Sequence, residues 1–358
     1  MEKVKKMLPK FCGFLFFGTM CTFVSAQKIN YQVNPQTGAL QTLSIANDPQ
    51  KMNWLVVTDG SQYRWVKENY GWGLGYATQV KGNRKEKVSW EIPAEMKQEG
   101  NELVYMAGDI RICVKRKMVE DELIEEYTFR NQGKDKVALV DIGVYTPFND
   151  NYPGSRTCIN TRTNTHIWEG ENAAYVNALR MGGHAPHLGL VLTKGAVKGY
   201  EIWERGRDKG NSHTRGIIAL NLPDLQLMPG KEYSMSWCLF AHKGIDDFRQ
   251  KLLEKGSVFV SCNKYVFEKG EKACIELAAE TSIQKCVLKN QDIHIPMKKR
   301  GNLWIAEVKM DQLGENRFDI FYGKGKQTHV TCLVIDNVDS LIKKRVDFIC
   351  DHQQMKES

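Results

Sequence analysis

The sequence predicts a mainly β protein, with a large antiparallel β-sandwich, a small Ig-like β-sandwich and a short C-terminal helix. Three observations lead to this prediction. Runs of β-branched and aromatic residues recur along the chain, and Gly, Asn and Asp separate them. Only two segments carry apolar residues at helical spacing. The length is enough for two domains, each with its own core.

The N-terminus has the three parts of a secretory signal peptide. Lysines are followed by the apolar run at residues 11–24 and by the small residues Ser25 and Ala26. We therefore expect residues 1–26 to be removed and the protein to be exported, as a periplasmic or secreted protein. Neither this run nor any later segment reaches the roughly 18 apolar residues that a membrane helix requires, so no membrane span is predicted.

The charge of the chain argues against a nucleic-acid partner. Removal of the signal peptide, with its four lysines and Glu2, lowers the formal net charge from +8 to +5. The remaining basic residues are scattered along the sequence and form no long basic patch.

The first strands are predicted at residues 101–113, 122–130 and 137–145, with a turn at residues 131–135 between the last two. Further strand candidates lie at residues 188–193, 216–220 and 233–241. Many strands with long connections indicate a large antiparallel sandwich whose loops carry function.

A short helix then separates two groups of strands. Ile245, Phe248 and Leu252 recur at helical spacing, and Gly256 follows them. Beyond this helix, short strand signals at intervals of roughly ten residues predict the small Ig-like sandwich. They are centred near Val258, Tyr265, Ile275, Val287, Trp304, Phe318 and Val330.

The C-terminal helix is predicted from one apolar face. This face consists of Val338, Leu341, Ile342, Val346 and Ile349. Asp339 and Ser340 are residue types that favour the N-cap position, so they are the expected start of the helix.

The candidate functional segment is residues 145–192, where aromatic, amide, arginine and histidine side chains are concentrated. Aromatic rings stack on the C–H face of a sugar, and planar polar groups hold paired hydroxyls. The predicted substrate-binding residues are Tyr152, Arg156, Arg162, Asn164, His166, Trp168, Arg180 and His187. The alternative is an ordered loop whose polar groups satisfy one another.

Catalytic residues are not established by the sequence. Glycoside hydrolysis needs two carboxylates about 5 to 10 Å apart. Asp150, Glu169 and Glu171 are the acids of the segment, and Asp150, Glu169 and His166 are the weak catalytic candidates. Acids near arginines are more often ion-paired than catalytic.

The histidine pair His184 and His187 is a weak metal signal. Pro186 disfavours a continuous helix between them, and no clear third ligand is nearby. No metal and no cofactor are therefore predicted.

Several short motifs together resemble a known family. They are Tyr145-Thr-Pro-Phe148, Asp150 with Tyr152-Pro153, Thr157-Cys158, His166-Ile-Trp168, residues 178–183, residues 186–192 and residues 345–349. The chain resembles the N-terminal part of exported Bacteroidetes proteins of unknown function that look like six-hairpin glycosidases. In such proteins a galactose-mutarotase-like supersandwich precedes a linker sandwich and an (α/α) toroid.

The resemblance implies carbohydrate processing and a domain plan. The plan has a signal peptide at 1–26, a β-supersandwich at 27–244, a connecting helix at 245–256, a small β-sandwich at 257–336 and the start of a truncated helical domain at 337–358. A separately encoded toroid, where such enzymes usually place their catalytic carboxylates, is the partner that the resemblance suggests.

Three functions remain open at this point. The first is a non-catalytic portion of a polysaccharide-processing protein, which binds an oligo- or polysaccharide and supports a toroid. The second is a self-contained glycoside hydrolase or mutarotase-like enzyme that uses Asp150, Glu169 and His166. The third is a structural or interaction subunit.

Overall fold

The computed structural model of the chain describes residues 28–56, 70–91, 96–203, 216–280, 286–290 and 293–353. The predicted signal peptide lies outside these residues. The described part contains five β-sheets and three helices, so the prediction of a mainly β fold is confirmed. No helix in it is both long and apolar enough to cross a membrane.

The first part of the chain forms three antiparallel sheets. The smallest pairs β1 (Ile29–Val33) with β2 (Leu40–Ile45). The largest has eight strands in the order β10 (Thr163–Trp168), β11 (Tyr175–Arg180), β12 (His187–Lys194), β16 (Glu232–His242), β8 (Glu122–Asn131), β7 (Ile110–Val119), β6 (Glu102–Ala107) and β5 (Lys97–Glu99). The third has the order β13 (Gly199–Trp203), β14 (Ile217–Asn221), β9 (Val137–Tyr145), β3 (Gly75–Lys81) and β4 (Arg84–Ser89), and β15 (Leu225–Leu227) also pairs with β9.

These sheets enclose one large apolar core. Its biggest fully buried side chains include Trp54, Trp72, Trp90 and Trp237. Burial of each large aromatic side chain contributes on the order of a few kcal/mol to folding. Because side chains alternate across a strand, each strand of the eight-stranded sheet has an inner face toward this core and an outer face away from it.

The later part of the chain forms two more sheets around a second core. One has the order β17 (Phe259–Cys262), β19 (Lys272–Ala278), β23 (Leu303–Lys309) and β22 (Lys298–Arg300). The other has the order β18 (Val266–Glu268), β25 (Lys326–Ile335), β24 (Gly314–Tyr322), β20 (Cys286–Asn290) and β21 (Ile293–Pro296), and β18 is parallel to β25. Phe267, Ile275, Leu277, Phe318 and Ile320 are fully buried in this core.

The predicted connecting helix is α2 (Ile245–Glu254), and it covers part of the outer face of the eight-stranded sheet. Its buried residues Phe248 and Leu252 pack with Val191, Cys238 and Phe240 of that face. The apolar spacing in the sequence therefore identified the helix and two residues of its buried side, whereas the third, Ile245, is 47% exposed.

Three local expectations need correction. The run at residues 101–113 is not one strand, because Gly108 adopts φ +60° and turns the chain between β6 and β7. The helix α3 (Val338–His352) begins after Asn337, whose side chain accepts hydrogen bonds from the Asp339 and Ser340 amides. Residues 145–192 also contain a helix, α1 (Ser155–Thr161), and the strands β10 and β11, none of which was predicted.

Candidate functional site

The candidate segment lies at one edge of the eight-stranded sheet, where β10 is the edge strand. The alternation of β10 places Asn164 and His166 on the exposed side. Tyr152 and Arg156 are exposed just before β10, in the loop and in α1, and 44% of Tyr152 is accessible. We call these four residues the α1–β10 surface.

The α1–β10 surface is held in place by backbone and side-chain hydrogen bonds. The Gly182 amide donates to the Ile159 carbonyl at 2.9 Å, and the Met181 amide donates to the Arg162 carbonyl at 2.9 Å. Arg162 Nε donates to Asn151 Oδ1 at 2.6 Å. Arg162 is half-buried, and its hydrogen bond to Asn151 ties the end of α1 to the loop that carries Tyr152.

Two of the predicted binding residues are buried. Arg180 is 1% exposed, pairs with Asp48 at 2.8 Å and lies over the Trp54 ring at 5.6 Å. His187 is 3% exposed, and its Nδ1 accepts a hydrogen bond from the Arg180 amide at 3.0 Å. Burial, and then the nearby Arg180 charge, lower the pKa of His187, which favours a neutral ring. The geometry favours structural roles for both residues over the predicted contact with a ligand.

Trp168 lies at the junction with the second group of sheets. Its ring stacks on His329 of β25, with ring centroids 5.3 Å apart and planes 25° from parallel. Glu171 binds Arg317 Nη2 at 2.5 Å and His329 Nδ1 at 2.8 Å. Trp168 and Glu171 therefore link the two groups of sheets.

Asp150 and Glu169 are at opposite ends of β10. The Thr163 amide donates to the Asn149 carbonyl at 3.1 Å, which places Asp150 beside the first residue of the strand, and Glu169 directly follows the last. At about 3.3 Å per residue, β10 separates their backbones by about 20 Å. This exceeds the separation of a carboxylate pair in glycoside hydrolysis, about 5 to 10 Å.

The described residues include no group of three or more His, Cys, Asp or Glu side chains that could hold a metal ion. Tyr152, Arg156, Asn164 and His166 of the α1–β10 surface can offer ring stacking and hydrogen bonds to a ligand.

Two polar features were missed by sequence reasoning. His242 is fully buried, and its ring lies 5.2 Å from the His187 ring. The other is a buried network around Glu125, which accepts hydrogen bonds from Trp72 Nε1 and Trp237 Nε1, each at 2.7 Å. The alternation of β8 could have predicted that Glu125 points inward, since Leu123 and Tyr127 flank it at spacing two.

A comparison with solved structures gives a strong similarity to a polysaccharide lyase. No protein-family model matches the chain, and a search of curated proteins also finds no match. A solved polysaccharide lyase is 57% identical with a TM-score of 0.87, and the match covers 93% of this chain and 50% of the lyase. The chain thus spans about half the length of that lyase.

Two other solved structures are only weakly similar. A proposed aldose 1-epimerase from Escherichia coli K12 has 11% identity and a TM-score of 0.35, with coverage of 61% of this chain and 97% of the epimerase. A proposed kojibiose phosphorylase from the human microbiome has 11% identity and a TM-score of 0.27, with coverage of 64% and 27%. At these scores neither bears on the function of this chain.

Proposed function

We propose that this chain is the β-sandwich portion of an exported polysaccharide-processing protein of the lyase type, and that it binds glycan without cleaving it alone. The observation that carries the proposal is the 57% identity to a polysaccharide lyase over 93% of this chain. The match covers only half of the lyase, and the other half of the lyase is not matched by this chain.

The α1–β10 surface supports the binding part of the proposal. Tyr152 offers an exposed ring for stacking, and Arg156, Asn164 and His166 offer exposed hydrogen-bonding groups near the same edge of the sheet. Because Arg162 and the Gly182 amide hold α1 in place, the surface is ordered before a ligand arrives.

The positions of the acids support the non-catalytic part. Glu171 is engaged by Arg317 and His329, and Asp150 and Glu169 are separated by the length of β10. Hydrolysis, which needs two close carboxylates, is not supported by this arrangement.

The partner in this proposal is a helical toroid, which the sequence resemblance implies. The helix α3 supports it, because its apolar side chains are exposed: Val338 44%, Leu341 40%, Ile342 57%, Val346 50% and Ile349 38%. An exposed apolar stripe is a common docking surface for other helices.

The docking role of α3 is tested by mixing the chain with the half of the similar lyase that the match does not cover. We expect Ile342→Asp to abolish the complex in analytical ultracentrifugation. Lys343→Asp, on the polar side of α3, is the matched control and should leave the complex intact. Equal complex formation by both variants would exclude this helix as the docking element.

The glycan-binding role is tested by calorimetric titration of plant and bacterial polysaccharides into the purified chain. Tyr152→Ala and His166→Ala should each weaken binding about tenfold, because each removes one contact of about 1.4 kcal/mol. His294→Ala, an exposed histidine of β21, is the control and should bind like the wild type.

Catalysis is tested on the same glycans. Ultraviolet absorbance of unsaturated products and release of reducing ends should both stay at background. Turnover by the chain alone would overturn the non-catalytic part of the proposal and favour a self-contained enzyme. A stable oligomer with no glycan response would favour an interaction subunit.

Export is part of the proposal and has a direct test. The mature protein isolated from its native host should begin at Gln27 in N-terminal sequencing. A chain that retains Met1 in the cell interior would contradict export.

A further inference from the structure

A groove of about 370 Å³ crosses the outer face of the eight-stranded sheet, beside the part that α2 covers. Its lining includes Lys115, Lys117, Lys194, Glu126, Thr193 and Ser236. The volume falls in the range of small-molecule sites, about 300 to 1,000 Å³.

Strand register brings these side chains into one row. Lys115 of β7 lies opposite Glu126 of β8, Glu126 lies opposite Ser236 of β16, and Ser236 lies opposite Lys194 of β12. Strands are about 4.8 Å apart, so the row is about 14 Å long. Lys117 lies two residues from Lys115 on the same face.

The lysines of the groove differ in their partners. Lys115 pairs with Glu102 at 2.7 Å, and Lys194 pairs with Glu126 at 3.5 Å. No carboxylate among the described residues lies within ion-pairing distance of Lys117, which is exposed. The groove therefore has room for one further negative charge beside Lys117.

Hydroxyl groups complete the lining. Thr193 Oγ1 donates to the Ser236 carbonyl at 3.0 Å and lies 3.2 Å from Ser236 Oγ. These hydroxyls, with the half-exposed Glu126 carboxylate, can exchange hydrogen bonds with the hydroxyls of a sugar.

We propose that this groove binds a carboxylated sugar unit of an acidic glycan, with Lys117 pairing with the carboxylate and Glu126 and Thr193 contacting the sugar hydroxyls. The choice of a glycan as ligand rests on the proposed function. The site is separate from the α1–β10 surface, since it lies on β7, β8, β16 and the end of β12 rather than on β10.

The test measures the binding of tetragalacturonate to the full chain by isothermal titration calorimetry. Lys117→Glu reverses the charge that faces the carboxylate, so we expect at least about tenfold weaker binding. Lys85→Glu makes the same charge change at an exposed position of β4, on another sheet, and should change binding less than about twofold. Equal loss in both variants would show only long-range charge attraction and would overturn the proposal.

Two further probes identify the ligand chemistry. A neutral galactose tetramer should bind at least about tenfold more weakly than tetragalacturonate. Equal or tighter binding of this neutral sugar would overturn the proposal, and so would a sulfated tetrasaccharide that binds through Lys117 while tetragalacturonate does not. Absence of binding by tetragalacturonate would also overturn it.

The same titration separates this proposal from the function proposed above. If Lys117→Glu weakens binding and Tyr152→Ala with His166→Ala does not, the groove is the glycan site and the α1–β10 surface is not. The reverse result would leave the α1–β10 surface as the glycan site and overturn the groove.

Discussion

Glu125 and Glu126 are neighbours on β8 and lie on opposite faces of the eight-stranded sheet. Glu125 is 0% exposed on the inner face and accepts hydrogen bonds from Trp72, Trp237 and Arg116. The Glu126 side chain is 41% exposed on the outer face, and its partner Lys194 is 3.5 Å away. The same side chain is thus a buried structural anchor at one position and a solvent-exposed group at the next.

The two faces differ in how far solvent reaches their charged groups. A buried charge loses its hydration, so each lost partner leaves an uncompensated group. When an exposed ion pair is broken, water replaces the lost partner and the free energy of unfolding changes little. The outer face is not uniform, however, because α2 covers Phe240 and His242, and the second group of sheets meets the end of β10 at Trp168. Four substitutions or titrations at increasing exposure test this comparison.

The largest effect is expected for Glu125→Gln. The amide keeps the shape but offers one acceptor oxygen in place of two, so its NH₂ group would face an indole N–H or Arg116. Removal of one partner of a buried pair costs about 3–5 kcal/mol, which urea unfolding would measure. A loss below about 1 kcal/mol would mean that the inner face tolerates charge changes as the outer face does.

His242 tests the part of the outer face that α2 covers. Burial, followed by the nearby His187, lowers the pKa of His242 from 6.5 to about 4. The His242 ring is therefore protonated below about pH 6.5 in the unfolded chain, but only below about pH 4 in the folded chain. Stability should fall by about 3 kcal/mol as the pH falls through this window.

The measurement is urea unfolding at several pH values. His242→Gln should remove most of this pH dependence, whereas His166→Gln, an exposed histidine of β10, should retain it. If stability changes with pH equally in the His242→Gln variant and the wild type, α2 does not exclude water from the His242 ring.

Glu171→Gln tests the junction with the second group of sheets. The substitution removes the charge that binds Arg317 and His329, of which Arg317 is half exposed. Since water partly screens this pair, we expect a loss of about 1 kcal/mol. Differential scanning calorimetry should show whether the transition of the second group of sheets moves away from that of the first. A single unchanged transition would mean that the stacking of Trp168 on His329 suffices.

The smallest effect is expected for Glu126→Gln. Its ion pair with Lys194 is long and exposed, so stability should change by no more than about 0.5 kcal/mol. The free energies of unfolding of the Glu126→Gln and Glu125→Gln variants are measured in urea under the same conditions, which compares the two faces of the sheet directly. A loss as large as that at Glu125 would mean that the groove is closed to water in solution.

Much of the strand pattern was predictable from the sequence. β8 and β9 lie where alternation and the turn at residues 131–135 placed them, and α2 buries the predicted Phe248 and Leu252. The strands β10 and β11 were not predicted, because their polar residues mask the alternation. Half of β10 faces solvent or the second group of sheets, so its outer positions carry Asn164, His166 and Trp168.

The predicted binding residues differ in exposure. Tyr152, Arg156, Asn164 and His166 are exposed near one edge of the eight-stranded sheet. Arg180 and His187 are of the same residue types as Arg156 and His166, yet both are buried. Asp48 and Trp54, which contact Arg180, and His242, which contacts His187, are distant in sequence, so no local pattern predicts these contacts.

The sequence by itself determined that Glu125 and Glu126 point to opposite faces, because a strand alternates its side chains by local backbone geometry alone. Only the tertiary structure decided that the Glu125 face is sealed by Trp72 and Trp237 and that the Glu126 face is open. Burial depends on which distant segments cover a face, and that is a property of the packed sheets rather than of any strand.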